Sequence, residues 1–134
     1  MRFFLDNNLP PKLAKALNCL AEPEAQVIHL REKFEHSIKD HEWINQLASG
    51  KDWVIISCDG FSKTLHEKEA LRKSGLIAFI LKSGWGNLQF WDMAHQLVRW
   101  WPRIMEQAEG ISGGAVFEVP VKFSGKGRFE QVKL

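Results

Sequence analysis

Hydrophobic and polar positions follow two rhythms along the chain. Phe3-Phe4-Leu5, Val27 to Leu30, Trp53-Val54-Ile55-Ile56-Ser57 and Leu76-Ile77-Ala78-Phe79-Ile80-Leu81 are short apolar runs, the pattern of strands buried in a parallel sheet. Between them the spacing is helical. Pro10-Pro11 suits a first helical turn, and Leu9, Leu13, Leu17 and Leu20 carry the helix to Ala21–Pro23. A charged loop is expected from Arg31 to Lys39. A helix follows from Asp40 to Ala48, with Trp43, Ile44, Leu47 and Ala48 inward, and a polar helix is expected between Gly60 and Leu76.

From Leu88 to Ala108 apolar residues recur at i, i+3, i+4 and i+7, predicting a long amphipathic helix. Trp91 and Trp101 are expected on its buried stripe, and Trp100 beside it. Trp85, between two glycines, and Trp100 are expected to be partly exposed. Beyond Gly110 the period changes to two, because Phe117, Val119, Val121 and Phe123 alternate with polar residues or proline. Ser124-Gly125-Lys126-Gly127 is a turn signal, and Phe129 to Leu134 is expected to return as a strand.

Strands alternating with helices define an α/β chain built on βαβ units with a mainly parallel sheet. The expected division is an α/β domain over residues 1–110 and a C-terminal β-hairpin extension over 111–134 packed on the same domain. At 134 residues and 45% hydrophobic content the chain can build one core. A net charge of +2 assigns no polyanionic partner by itself, so a nucleic-acid site would be a local patch. Cys19 and Cys58 match neither zinc spacing nor a disulfide framework, which points to a reducing, cytoplasmic setting. No apolar run approaches the ~20 residues that cross a bilayer, so no membrane partner is expected.

Three acids fall at informative places. Asp6 ends the first strand, Asp40 opens a helix and Asp59 follows the third strand, so a parallel sheet would gather them at one edge. Asp40 has an ordinary reading as an N-cap or first-turn acid and Asp59 before Gly60 as a turn former, whereas Asp6 is harder to dismiss, since Asp is depleted in strands. Their coincidence favours chemistry. Gathered carboxylates repel unless protonated or bridged by a divalent cation, and hard oxygen donors select Mg²⁺ or Mn²⁺. Such ions promote phosphodiester hydrolysis.

These residues carry a resemblance. Phe3-Phe4-Leu5-Asp6-Asn7-Asn8-Leu9-Pro10 resembles the opening of PIN-like domains, in particular the short branch related to toxin ribonucleases of bacterial toxin–antitoxin pairs. Asp40-His41-Glu42-Trp43-Ile44, followed by Ile56-Ser57-Cys58-Asp59-Gly60-Phe61, is similar to that family's helix-opening acid and strand-end motif, with the phenylalanine one residue early. The likeness spans Arg2 to Leu81. It implies a three-layer α/β/α fold, a Mg²⁺ or Mn²⁺ site and endonucleolytic cleavage of RNA restrained by a cognate antitoxin protein. Asp6, Asp40 and Asp59 would then be the catalytic, metal-binding acids and Ser57 a polar support.

Fuller PIN domains carry a further acid, usually Glu, on an intervening helix, and Leu30 to Asp40 is too short to hold that helix. Glu42 is the substitute metal ligand, although residues two apart on a helix face different ways; Glu32 and Glu35 are weaker candidates. Asn7 and Asn8 either support the site or cap the next helix. Lys12 and Lys63, with Arg31, are the basic residues placed to meet phosphate, against an ordinary reading as solvated surface. Trp100 is a candidate contact for an antitoxin or for a homodimer. A receiver-like phosphoacceptor would need adjacent early acids, and a haloacid-dehalogenase-type phosphatase would need Asp where Asn8 stands. The alternative that competes is a non-catalytic PIN-like module that binds RNA or protein.

Overall fold

The computed structural model describes residues 1–50, 52–58 and 65–133. In chain order they form β1 (Arg2–Leu5), α1 (Pro11–Ala21), β2 (Gln26–His29), α2 (Leu30–Lys33), α3 (Asp40–Ala48), β3 (Trp53–Cys58), α4 (Leu65–Ser74), β4 (Ile77–Leu81), a 3-10 turn (Ser83–Asn87), α5 (Phe90–Glu109), β5 (Ala115–Val119) and β6 (Glu130–Val132). The strands make one sheet in the order β2-β1-β3-β4-β5-β6. The first five pair in parallel and β6 pairs antiparallel to β5.

Strand periodicity sends successive side chains to opposite faces of the sheet. Phe3, Leu5, Val54, Ile56, Phe79, Leu81, Phe117 and Val119 face one side, where Leu13 and Leu17 of α1 and Met93, Leu97, Trp100, Trp101 and Ile104 of α5 cover them. Phe4, Trp53, Ile55, Ala78 and Val116 face the other, against Trp43, Ile44 and Leu47 of α3 and Ala70 and Leu71 of α4. The result is a three-layer α/β/α fold, as the sequence pattern predicts. All six residues of β3 are buried because both of its faces are covered, which is why it reads as an unbroken apolar run.

Connectivity then fixes where a site can form. The β1–β2 crossover, α1, lies on one face, and the β2–β3 crossover, α3, lies on the other. The chain therefore reverses its winding between β1 and β3. Side chains and loops diverge at such a switch point and leave a crevice beyond the carboxyl ends of the strands. Asp6 follows the last residue of β1 at that point.

Several local expectations change. The segment after β2 holds the short helix α2, nucleated by polar contacts of His29 and Glu32 that a hydrophobic pattern does not report. The period-two run toward Phe123 leaves the sheet after Val119, since Pro120 has no N–H to continue a ladder. Residues 120–129 instead fold beside α5 and lay Phe123 and Phe129 against the core. The tryptophans of this region also exchange roles. Trp85 and Trp100 are completely buried, whereas Trp91 is 81% exposed, because Phe90 and Met93 rather than Trp91 face inward at the start of α5. Their partners explain the burial: Trp85 Nε1 donates to the Val119 carbonyl at 3.0 Å and Trp100 Nε1 to that of Val121 at 3.4 Å. Among the described residues no helix is long and apolar enough to cross a membrane.

Candidate active site at the ends of β1 and β3

Asp6 is a buried acid, 3% exposed, and its position is set from three directions. Its backbone N–H continues the ladder to the Ile56 carbonyl at 3.3 Å. Its Oδ2 accepts from the Ser57 hydroxyl at 2.5 Å, and its Oδ1 accepts from the Asn8 N–H at 3.1 Å. Alternation explains the first side-chain contact. Asp6 and Ser57 follow residues that face the α1/α5 layer, so both side chains turn toward the α3/α4 layer and meet across the β1/β3 seam. The Asn8 contact is an Asx turn, the conformation an aspartate imposes two residues on.

The two asparagines hold the surrounding loops. Asn8 Nδ2 donates to the Cys58 carbonyl at 3.0 Å, tying the β1 loop across the end of β3. Asn7 Nδ2 donates to the His36 carbonyl at 2.8 Å, and its Oδ1 accepts from Arg31 Nε at 3.3 Å. Arg31 also lies 3.1 Å from His36 Nε2 through Nη2. Neither asparagine caps α1, whose N-cap is Pro10 without a side-chain cap. Arg31 is thus placed on the rim beside Asp6, joined to it through Asn7.

Asp40 opens α3 and is half-buried. Its Oδ1 accepts from Trp43 Nε1 at 3.0 Å, and the Trp43 ring lies 4.9 Å from that of Phe4. Phe4 stands two residues before Asp6 on the same face of β1. The acid that opens α3 is therefore attached, through one indole, to the strand that carries Asp6. Glu42 is exposed on α3, and Lys12 is exposed on α1 with its ammonium 4.2 Å over the Phe90 ring. Asp59 and Lys63 lie outside the described residues. Among the described residues no group of three His, Cys, Asp or Glu side chains is arranged to hold a metal ion. Asp6 and Asp40, each taken singly, are hard oxygen donors of the kind a divalent cation takes.

One site residue lies hidden within an apolar run. His29 ends β2 directly beside Leu5 and is fully buried. Its Nδ1 accepts from the Arg31 N–H at 3.1 Å, so its Nε2 is left to donate to the Leu9 carbonyl at 2.6 Å. Glu32 returns the contact by accepting the His29 N–H at 2.6 Å, which occupies an acid considered as a metal ligand. Burial pushes the His29 imidazole below its ordinary value; the Leu9 carbonyl opposes that shift and the Arg31 charge reinforces it. A polar residue closing an apolar strand, with Glu three residues later, was the available signal.

The amino-acid sequence matches the family model of the PIN-like domain over residues 1–83, more than half of the chain, and the chain belongs to that family. This is a nuclease-type fold. Comparison with curated proteins and with solved structures gives no match.

Proposed function

We propose that this chain is a metal-dependent endoribonuclease that hydrolyses RNA phosphodiester bonds as the cytoplasmic toxin of a bacterial toxin–antitoxin pair. The observation that carries the reading is Asp6: a buried carboxylate at the switch point of the sheet, oriented by Ser57 and Asn8. The resemblance of the opening motif to the short toxin branch supports the RNA substrate, the antitoxin and the bacterial setting. Residues 1–110 are the catalytic domain in this reading, and 111–134 extend it.

Asp6, Asp40 and Asp59 would hold Mg²⁺ or Mn²⁺, with Glu42 as the additional acid. When bound, such a cation polarises the phosphodiester, lowers the pKa of a coordinated water and steadies the leaving oxygen. The protein's own contribution is placement. Ser57 and Asn8 fix the Asp6 carboxylate, Asn7 and His29 fix the loops on either side of it, and Arg31 and Lys12 offer positive charge to the phosphates. A second reading, a PIN-like module that binds RNA or protein without cutting, draws on the structural contacts that both acids already make, Asp40 with Trp43 and Asp6 with Ser57 and Asn8.

Mixed RNA incubated with Mn²⁺ separates the two. Cleavage by the native chain is expected to fall by roughly 100- to 1,000-fold in Asp6→Asn and in Asp59→Asn, the several kcal/mol that metal-assisted stabilisation supplies. Cleavage that persists in both variants sinks the proposed site. RNA retained without cleavage by the native chain selects the binding module.

A further inference from the structure

Trp91 is the most exposed of the large hydrophobic residues described, and nothing in the core requires it to be Trp. A single apolar residue in water is ordinary. Its surroundings are not. Trp91 lies in the first turn of α5, and α5 leaves the sheet from the carboxyl end of β4, the same edge that carries Asp6. Its indole stands edge-on to Phe90, with ring centroids 5.7 Å apart at 73°. Phe90 in turn receives the Lys12 ammonium over its face at 4.2 Å. Lys12 is in the first turn of α1, directly after the Asp6–Asn8 loop. An exposed indole, a supporting ring and a cation are therefore joined side by side along the edge where hydrolysis is proposed.

We infer that Trp91 is a stacking platform for an unpaired base of single-stranded RNA, with Lys12 meeting the adjacent phosphate. The inference rests on the nuclease reading and adds how the substrate strand is held. Charge decides the occupant. Residues 7–21 contain Lys12 and Lys15 and no acid, and over residues 90–100 of α5 Arg99 balances Asp92, so the surroundings of Trp91 are net positive through α1. A second copy docking here would bring like charges together, whereas a polyanion is attracted. Within nucleic acids the indole selects single strands, because a paired and stacked base offers no free π-face.

The test uses the full chain carrying Asp6→Asn, so that RNA is bound without being cut, and a fluorescein-labelled oligoribonucleotide of mixed sequence at fixed salt. Anisotropy titration is expected to show single-strand affinity reduced roughly 5- to 150-fold by Trp91→Ala, the span of base–aromatic stacking, and largely kept by Trp91→Phe. Affinity for the corresponding duplex and the sedimentation coefficient should not change. Equal single-strand affinity with and without the indole overturns the inference, as does an equal loss toward duplex or a change in self-association. Failure here with Asp6-dependent cleavage intact leaves the nuclease standing. Trp91-dependent binding with no cleavage by the native chain removes the nuclease and keeps the platform, and absence of any single-strand binding removes the platform itself.

Discussion

Two regions of this molecule are held by opposite means. Around Asp6 the contacts described are polar and directional: the Ser57 hydroxyl and the Asn8 N–H orient its carboxylate, and the Asn7 and Asn8 carboxamides hold its loops. In the C-terminal part, beyond the family match, the contacts are broad and aromatic. Trp100 lies 4.6 Å from Phe123 and 5.2 Å from Phe129, and Phe129 packs at 5.3 Å on Phe79. Arg99 and Arg103 cover the outer faces of Phe123 and Phe129 at 4.4 and 4.8 Å. Gly127, at φ +83°, allows the loop to close there, since a Cβ would meet the Phe123 ring at 2.8 Å. A hydrogen bond contributes only about 1 kcal/mol net but fixes direction, whereas a buried aromatic contributes several kcal/mol with looser direction. Stability is thus concentrated away from the site, and orientation is concentrated at it.

Trp100→Ala is the most severe test of that division. Removing a fully buried indole from the centre of the aromatic cluster is expected to cost about 3–5 kcal/mol of unfolding free energy by denaturant titration. Under conditions where the variant remains folded, cleavage per folded molecule should be nearly unchanged; a selective loss of cleavage would show that the two regions are coupled. Ser57→Ala should do the reverse. Loss of an orienting partner is expected to lower cleavage by about 10- to 100-fold while unfolding free energy falls by no more than ~1–3 kcal/mol. An unchanged rate would mean that Ser57 does not orient Asp6. His29 gives the smallest effect and sharpens the polar side. Its imidazole is held below its ordinary value by burial, so on acidification the unfolded chain takes up the proton first. Its contribution is therefore complete above about pH 6.5 and is lost as pH falls below that value. His29→Gln should flatten this part of the stability–pH curve, and an identical slope in both proteins would count against a buried neutral imidazole.

The alternation of apolar runs and helical spacings was sufficient for the sheet and its layers, because a strand covered on both faces leaves an unbroken apolar signature. α3 begins and ends where its apolar spacing places it, from Asp40 to Ala48. What pattern could not supply is phase and partnership. Whether Phe90 or Trp91 begins the inner stripe of α5 depends on a rotation of one residue, and both are hydrophobic. Trp85 is buried because the Val119 carbonyl accepts its N–H, a contact across 34 positions that no local signal encodes. Asp6 was legible as a strand-end acid. His29, at the corresponding end of β2, was hidden because Val27 to Leu30 reads as one apolar stretch and its hydrogen-bond partners come from two other segments. Asp59 and Lys63 stay as sequence expectations.

The uneven burial of the tryptophans also has an optical consequence. Trp43, Trp53, Trp85, Trp100 and Trp101 are each no more than 6% exposed, and the chain contains no tyrosine. Only Trp91 stands in water, so an aqueous quencher such as iodide should reach one emitter out of six. The quenchable fraction of the native emission then belongs to a single indole on the Asp6 edge. The protein carries its own label at the place where a bound strand would shield it.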